Sequence, residues 1–556
     1  MRPHPLILGL LLASAAHAAA GDIDAGLRAY RDGRLASGAP LRGVLEDDVE
    51  VRGEAASCAR CHRPSGFGSN EGETLVPPVT GPALFRPRQP RRADMVRGLY
   101  QDILPEAARA SARTSRSRPA YTAESLATAL RTGVDPEGRR LDPLMPRYPL
   151  GDEDMGHLVA YLKGLAVAPD PGVDDRRLHL ATVVSQSVEP AKRQALAAVL
   201  DAFVRTRNLE DRRERERPGF SPNYKDAYRE ARREWVLHTW VLEDTAATWE
   251  QQLEGYYRRQ PVFALVGGLV EGEWKPVHDF CQRTGLPCLF PLTDLPAIPD
   301  TESASPTIYL SKGLVLEAEA LAAWLSEPGR APAGSKIVQV YRPTPEGTAL
   351  SASFRRALRE DLRGRLDDLP VSRDDTLSPE FWRHLIGERA GSSLVLWVSA
   401  EDLSSFPLAV GAEQLTIYLS GSLLGEETST LPETLRLRAR LTYPYALPGR
   451  EVPAIYRARA WLRSRGVGRG PERVQLGAYF AMLVLEHASV RMVDHFSRPY
   501  LIECVEHEVE NALNPGLYPY MSLGPGQRFA SKGSFIVESS RSVRGGVEPV
   551  SLWIIP

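Results

Sequence analysis

The chain carries no excess of charge of either sign, no long apolar run and few cysteines, and each shortage excludes something. Its 556 residues hold 68 Lys and Arg against 70 Asp and Glu, a formal net charge of -2. That balance gives no global pull toward nucleic acid or an anionic membrane surface. The best internal apolar stretch, Leu476 to Leu485, ends in Glu486 and His487. It falls well short of the roughly 20 apolar residues that span a bilayer and reads as a buried helix. No nucleotide-binding loop, paired zinc motif or catalytic-triad pattern is present, and no long low-complexity tract. What remains is a globular composition, 43% hydrophobic and 25% charged, on a chain long enough for two or three domains.

The first twenty residues, MRPHPLILGLLLASAAHAAA, predict a secretory leader. Arg2 supplies the positive start, Leu6 to Ala13 the apolar run, and Ala16-His17-Ala18 a small-x-small cleavage site. The competing reading is a membrane anchor, for which the run is short. No cysteine near the cleavage site marks a lipoprotein. The mature chain is expected to be exported to the periplasm and to lack a transmembrane segment.

The five cysteines are Cys58, Cys61, Cys281, Cys288 and Cys504. The first two stand in "AASCARCHRPSGFG", with His62 directly after. Two thiols on one turn can form thioethers with the two vinyl groups of haem, and the following imidazole then faces the iron. A zinc site would need a second close ligand pair, and Cys281 and Cys288 are remote and too widely spaced. A thioredoxin-like pair would need a preceding strand and no histidine, and Gly53 to Ser57 is small and polar. Three methionines could supply a sixth ligand. Met155 falls with Leu158, Val159 and Leu162 on one face of a helix starting near Asp152, so it reads as core. Met95 lies in an arginine-rich segment. Met145 stands in a loop before a proline, after a helix predicted over Ala123 to Arg131 with Thr122 as cap and Gly133 as stop. Met145 is the expected distal ligand.

Ala55 to Leu165 resembles a class I cytochrome c domain, in "CARCH", "GFGSNEGETLVPPVTGPALF", the "LMPRY" loop and the terminal "LVAYLKGL". The resemblance implies a small all-α fold, one covalently attached haem c, and one-electron transfer at an exposed haem edge. The long interval from His62 to Met145 marks Arg86 to Arg118 as an insertion rich in arginine. It reads either as a solvated loop or as a docking patch for an acidic redox partner or a set of counter-charges for the haem propionates.

Ala166 to Arg176 is a proline- and acid-rich linker. Beyond it, strands alternate with helices. Strands are expected at Leu178 to Ser185, Trp235 to Leu242, Val262 to Val266 and Leu286 to Phe290. Between them come helices at Ala191 to Thr206, Ala247 to Tyr257 and Trp274 to Arg283. A second set comprises Lys336 to Tyr341, a helix near Ala349 to Arg359, Ser393 to Val398 and Gln414 to Ser420. Helices at Val474 to Val490 and Tyr500 to Leu513 and short strands at Ser534 to Val537 and Leu552 to Ile555 close the chain. The βαβα succession predicts a parallel, doubly wound sheet. The charged run Asn223 to Trp235 reads as a solvated helix. Cys281 and Cys288, across a helix-to-strand turn, read either as a disulfide or as two buried thiols; Cys504 reads as core.

"VFALVGGLVEGEWKPVHDFCQRTGLPCLFPLTDLP" and "TIYLSKGLVLEAEALAAWL" resemble the type I periplasmic solute-binding proteins of branched-chain amino-acid ABC transporters. The resemblance implies a two-lobed α/β fold over 177–556. One lobe would take 177–308 and 446–515, the other 309–445 and 516–556, with crossings near Tyr309, Tyr443 and Pro519. Ligands of such folds sit at the carboxyl ends of the strands. The candidates are Ser185 and Ser187 after the first strand, Gly267 and Gly268 after the third, and Thr293 and Asp294 after the fourth; each also reads as turn or cap chemistry. The loop Gly268-Leu269-Val270-Glu271-Gly272 lacks the hydroxyl usual in that family. The two resemblances together imply a leader over 1–20, a cytochrome over 21–165, a linker over 166–176 and a binding-protein-like domain. The expected role is electron transfer with a periplasmic redox partner, a dehydrogenase or a terminal acceptor, and a larger domain that binds a small ligand or docks that partner. The alternative is a ligand receptor or redox sensor without a respiratory role. Nothing in the sequence requires an enzyme.

Overall fold

The computed structural model describes residues 23–46, 48–71, 74–88, 117–216, 232–331, 334–389, 391–407, 415–425, 431–448, 453–492, 495–509, 513–540 and 546–556. The expected leader, Met95 and most of the arginine-rich insertion lie outside them, as does most of the charged run before Trp235. The chain forms two compact units: 1–170 with His495–Glu503, and Pro171–Asp494 with Cys504–Pro556.

In the first unit, helix α1 (23–32) places Ala25, Ala29 and Tyr30 in the core. It approaches the terminal helix α5 (Asp152–Gly164) closely because residue 26 is glycine: a Cβ there would stand 2.2 Å from the His157 carbonyl oxygen. Tyr30 and Tyr161 pack beside this crossing, ring centroids 5.3 Å apart. Between these helices lie α2 (Ala59–His62), α3 (Gly81–Phe85) and α4 (Ala123–Thr132). The α4 ends follow the expected signals. Thr122 and Ser125 form a capping box, and Gly133 closes the helix at φ 73°, where only glycine is unstrained. Met155, Leu158, Val159 and Leu162 of α5 are buried, as their spacing requires.

The expectation of an all-helical domain needs correction. Strand β1 (Arg42–Val44) pairs antiparallel with β2 (Glu50–Arg52), and β3 (Ser69–Glu71) with β4 (Thr74–Val76). Both are short reversals in the loops flanking the cysteine motif, where backbone groups without helix pair with each other. The neck of the insertion is also closed, by a bridge between Arg88 and Arg118. Arg118 donates to the carbonyls of Ala83 (2.7 Å) and Leu84 (3.3 Å) and covers the Tyr121 ring at 4.3 Å. That arginine is a strut rather than a free surface charge.

In the second unit, β5 (Arg177–Ser185), β6 (Glu234–Leu242), β7 (Ala264–Val266), β8 (Cys288–Leu289) and β9 (Thr307–Ile308) form a parallel sheet in the order β6-β5-β7-β8-β9. The helices between them are α6 (Pro190–Glu216), α7 (Ala246–Arg259) and α8 (Lys275–Thr284). After β9 the chain enters α9 (Leu314–Ser326), whose apolar residues are buried on nearly every side. The second sheet runs β11-β10-β12-β13-β14-β15-β16. Its parallel part is β10 (Ile337–Tyr341), β11 (Leu366–Pro370), β12 (Ser393–Trp397), β13 (Thr416–Ser420) and β14 (Ala439–Tyr443); β15 (Phe535–Ser539) and β16 (Val547–Pro549) join antiparallel. Helix α10 (Pro345–Ala357) follows β10, α11 (Pro379–Glu388) precedes β12, and α12 (Gly421–Leu424) follows β13. All five residues of β12 are buried, as a parallel strand covered on both faces should be.

The later helices are α13 (Pro453–Ser464), α14 (Glu472–Met492) and α15 (Arg498–Glu508). Helix α14 packs beside α6 and the first sheet: Phe203 meets Tyr479 at 6.1 Å, and Phe290 meets Phe480 at 5.1 Å. The expected strand at Leu552 to Ile555 forms only an isolated bridge, Ser534 to Ile554. Cys281 and Cys288 are buried and form no disulfide, lying in the apolar layer around Trp240 and Phe280, and Cys504 is buried as well.

Candidate functional sites

Around the cysteine motif, one turn of helix starts with Cys58 and ends on His62. His62 is 8% exposed, and its Nδ1 stands 2.8 Å from the Pro77 carbonyl oxygen. A carbonyl can only accept, so Nδ1 carries the proton and Nε2 keeps its lone pair. Burial holds the imidazole pKa below its ordinary value, with the Pro77 hydrogen bond opposing. The neutral, ligating form is therefore favoured. Cys58 packs against the same apolar cluster as Met145, together with Leu84, Leu130 and Leu158. Burial pushes the Cys58 thiol up to about 12, against opposing hydrogen bonds. That is far from the depressed pKa of a dithiol redox catalyst. The Tyr148 hydroxyl donates to the Ala56 carbonyl at 3.0 Å, and the Arg147 and Val44 backbones pair at 2.8 and 2.9 Å. These bonds tie the methionine loop to the segment leading into the cysteine motif.

The residues fit a haem. The donor set is two thiols, an imidazole already oriented through its second nitrogen, and a thioether that packs on the cluster that also holds Cys58. Met155 is 3% exposed in the helix core. Pro77 and Tyr148 were not singled out in the sequence. Their part is played by a backbone carbonyl and a distant hydroxyl, which leave no local motif.

In the second unit a cleft of about 760 Å³ opens at the carboxyl ends of the strands. One wall comes from the first sheet and its helices: Lys192 of α6, Leu269 to Gly272 after β7, and Leu292 to Leu295 after β8. The other comes from the second sheet: Glu346 in the first turn of α10, Ser422 to Gly425 of α12, and Tyr445 after β14. Arg473, Leu517 and Tyr518 complete it.

Thr293 and Asp294 line this cleft. The other four candidates are not among its lining residues. Ser185 is buried, lies 3.1 Å from the Ser187 hydroxyl, and accepts the Glu271 backbone N–H at 2.9 Å, so it secures the loop after β7. Gly267 and Gly268 take φ 61° and 110°, and a Cβ on Gly268 would meet the Trp274 ring at 2.7 Å. That glycine serves the turn.

Asp294 is open to the cleft but surrounded by protein. Burial raises its pKa, Arg473 and Lys192 oppose the rise, and Glu346 adds to it. Arg473 lies flat on Tyr445, 3.7 Å from the ring centroid, and the Tyr445 hydroxyl is 2.7 Å from that of Ser422. Burial keeps Tyr445 and Tyr518 neutral, the latter raised to about 12. Behind the wall, Glu317 of α9 is fully buried and accepts hydrogen bonds from Ser420 (2.8 Å), the Ser422 N–H (3.1 Å) and Thr442. Lys192, Glu346, Tyr445 and Arg473 escaped the sequence reading because they converge from four distant segments.

Residues 54–166 match the cytochrome c family model. Among curated protein sequences, none matches this chain. Solved structures similar over much of the chain include a fatty acid ABC transporter substrate-binding protein from Thermomonospora curvata. It is 15% identical, with 70% of this chain and 95% of that chain covered and a TM-score of 0.48. Another is a branched-chain amino-acid ABC transporter protein from Thermus thermophilus with bound valine, 14% identical over 68% and 97%, TM-score 0.47. A third is a solute-binding protein from R. palustris in complex with benzoate, 10% identical over 68% and 98%, TM-score 0.49. No described helix is long and apolar enough to cross a membrane.

Proposed function

We propose that the protein is an exported single-haem electron carrier whose larger unit binds a small ligand in the cleft between its two lobes. Thioethers at Cys58 and Cys61 would hold the haem, with His62 and Met145 as axial ligands. Bound there, the group supplies one-electron transfer with no vacant iron position.

The chain's own residues do the rest. The Pro77 carbonyl keeps the His62 proton on Nδ1 and the ring in register. The Tyr148 hydroxyl and the Arg147 backbone hold the methionine loop in place. The apolar cluster of Leu84, Leu130, Leu158 and Leu162 packs against Cys58 and Met145, while Cys61 is exposed. The observation that carries the reading is the His62 to Pro77 hydrogen bond, which orients Nε2 for a metal; a dithiol site has no use for it, and a zinc site would need a second close ligand pair. The leader predicted from the first twenty residues supports export, the compartment where covalent haem is assembled.

The test is coexpression with a cytochrome c maturation system. Wild type should carry covalent haem and show the methionine-to-iron charge-transfer band when oxidised. Met145→Ala should keep the haem and lose the band. A wild-type protein with haem but without the band would refute the distal assignment.

In the larger unit, the cleft at the strand ends with charged and aromatic walls supports ligand binding. Docking of a partner dehydrogenase is the second reading, and the arginine-rich insertion is what favours it. Mixing with an acidic redox partner should then accelerate haem reduction in a salt-sensitive manner.

A further inference from the structure

Two carboxylates confront each other across the cleft of the second unit. Asp294 comes from the loop after β8 on one lobe, Glu346 from the first turn of α10 on the other, and both line the same cavity. Among the described residues, no side chain hydrogen-bonds or ion-pairs with either one. The Asp294 position is rigid. Its carbonyl accepts the Leu314 N–H at 2.9 Å, and Gly313 packs so tightly on it that a Cβ would meet that oxygen at 2.2 Å. The preceding Thr293 hydroxyl accepts the Leu295 N–H at 3.1 Å.

The remaining charges leave the cleft negative. Its lining holds Glu189, Glu271, Asp294 and Glu346 against Lys192 and Arg473. Lys192 stands 3.7 Å from Glu189 and Arg473 is spread over Tyr445, and although both also favour the Asp294 charge, two cations face four carboxylates. Glu271 turns its backbone N–H to Ser185, so that donor is not offered to a ligand anion. An anion entering the cleft meets a surplus of carboxylate; a cation neutralises it. Leu269, Leu292, Leu314 and Leu423 also line the cavity and offer an apolar surface beside the hydroxyls of Ser422 and Tyr445.

We propose that the ligand is an organic cation, a protonated amine on an apolar body with no carboxylate of its own, held between Asp294 and Glu346. This rests on the reading of the cleft as the ligand site. Without ligand, closing the lobes brings two like charges together, which is unfavourable. The ammonium relieves that repulsion and hydrogen-bonds to a carboxylate on each lobe. Binding and closure are thereby coupled through one group.

The test uses the full holo-protein and two sets of probes that share a body and differ in head group. One set is 2-phenylethylamine, phenylalanine and 3-phenylpropionate; the other is isoamylamine, leucine and 4-methylpentanoate. Calorimetry should show each amine binding at least about tenfold tighter than its amino acid or acid. Asp294→Asn and Glu346→Gln should each weaken amine binding about tenfold or more, with the unfolding midpoint of the unliganded protein not lowered. An amino acid or acid that binds as well as the amine overturns the proposal, as does amine binding indifferent to Asp294→Asn. If those acids or amino acids lose binding in the cleft-filling variant Leu423→Trp, the cleft remains the ligand site and only the charge class falls. If no probe binds, both readings fall.

Discussion

Replacing Glu317 tests how the second unit is held together behind its cleft. The carboxylate is fully buried and bonded to Ser420, to the Ser422 backbone N–H and to Thr442, so it fastens α9 to the ends of β13 and β14. In Glu317→Ala three donors lose their acceptor. Thr442 keeps a 3.3 Å bond to the Leu419 carbonyl, and the Ser420 hydroxyl can turn elsewhere; the Ser422 N–H has no such recourse. One stranded donor costs about 1–3 kcal/mol, and the cavity left by the side chain adds to it, so the expected loss is about 3–5 kcal/mol. Glu317→Gln keeps the volume and one acceptor oxygen and should lose far less. The pH dependence gives a second readout. Burial raises the Glu317 pKa, its hydrogen bonds to Ser422, Thr442 and Ser420 opposing. A carboxyl whose folded-state pKa lies above its unfolded value contributes stability that is full at low pH. That contribution is lost as pH rises through the folded pKa. Urea unfolding followed by tryptophan fluorescence at pH 5 and pH 7.5 should therefore show the wild type weakening with pH more steeply than Glu317→Gln. A loss below about 1 kcal/mol in Glu317→Ala, or equal pH slopes in the wild type and Gln variants, would refute the reasoning.

Three further perturbations follow from named contacts. Gly26→Ala pushes a methyl to within 2.2 Å of the His157 carbonyl, so α1 must shift from α5; thermal unfolding of the first unit should show a loss of about 1–3 kcal/mol. Asp211→Ala removes the buried partner of Arg207, 2.7 Å away with both side chains under 5% exposed, and should cost about 3–5 kcal/mol in urea unfolding. Asp211→Asn should restore part of that. Cys61→Ser should leave haem bound by one thioether, seen as a shifted α-band in the pyridine haemochrome spectrum; an unshifted band would contradict the assignment of that thiol.

Legibility in the sequence followed how local each cause is. The α4 helix was readable because its box, Thr122 with Ser125, and its stop, Gly133, are adjacent to it. The α5 core was readable because Met155, Leu158, Val159 and Leu162 recur at helical spacing. The parallel order of the first sheet followed from the alternation of strand and helix. Helix α6 runs ten residues beyond its expected end at Thr206, because Arg207 and Asp211 continue it as a buried ion pair that reads in sequence as solvated charge. Helix α1 was missed: its anchors, Gly26 and Tyr30, act through contacts with residues far along the chain. The proposed haem donors rest on one short motif and one loop methionine. The cleft was legible only at Thr293 and Asp294, since the groups facing them come from other segments and none carries a signature of its own.

The account depends most on the mature chain carrying covalent haem with a closed iron. The direct measurement is the intact mass and oxidised absorption spectrum of wild-type protein purified from cells that mature c-type cytochromes. The expected result is a mass gain of one haem that survives denaturation, together with the sulfur-to-iron charge-transfer band. A chain of unmodified mass, or haem that extracts into acidic organic solvent, would contradict it.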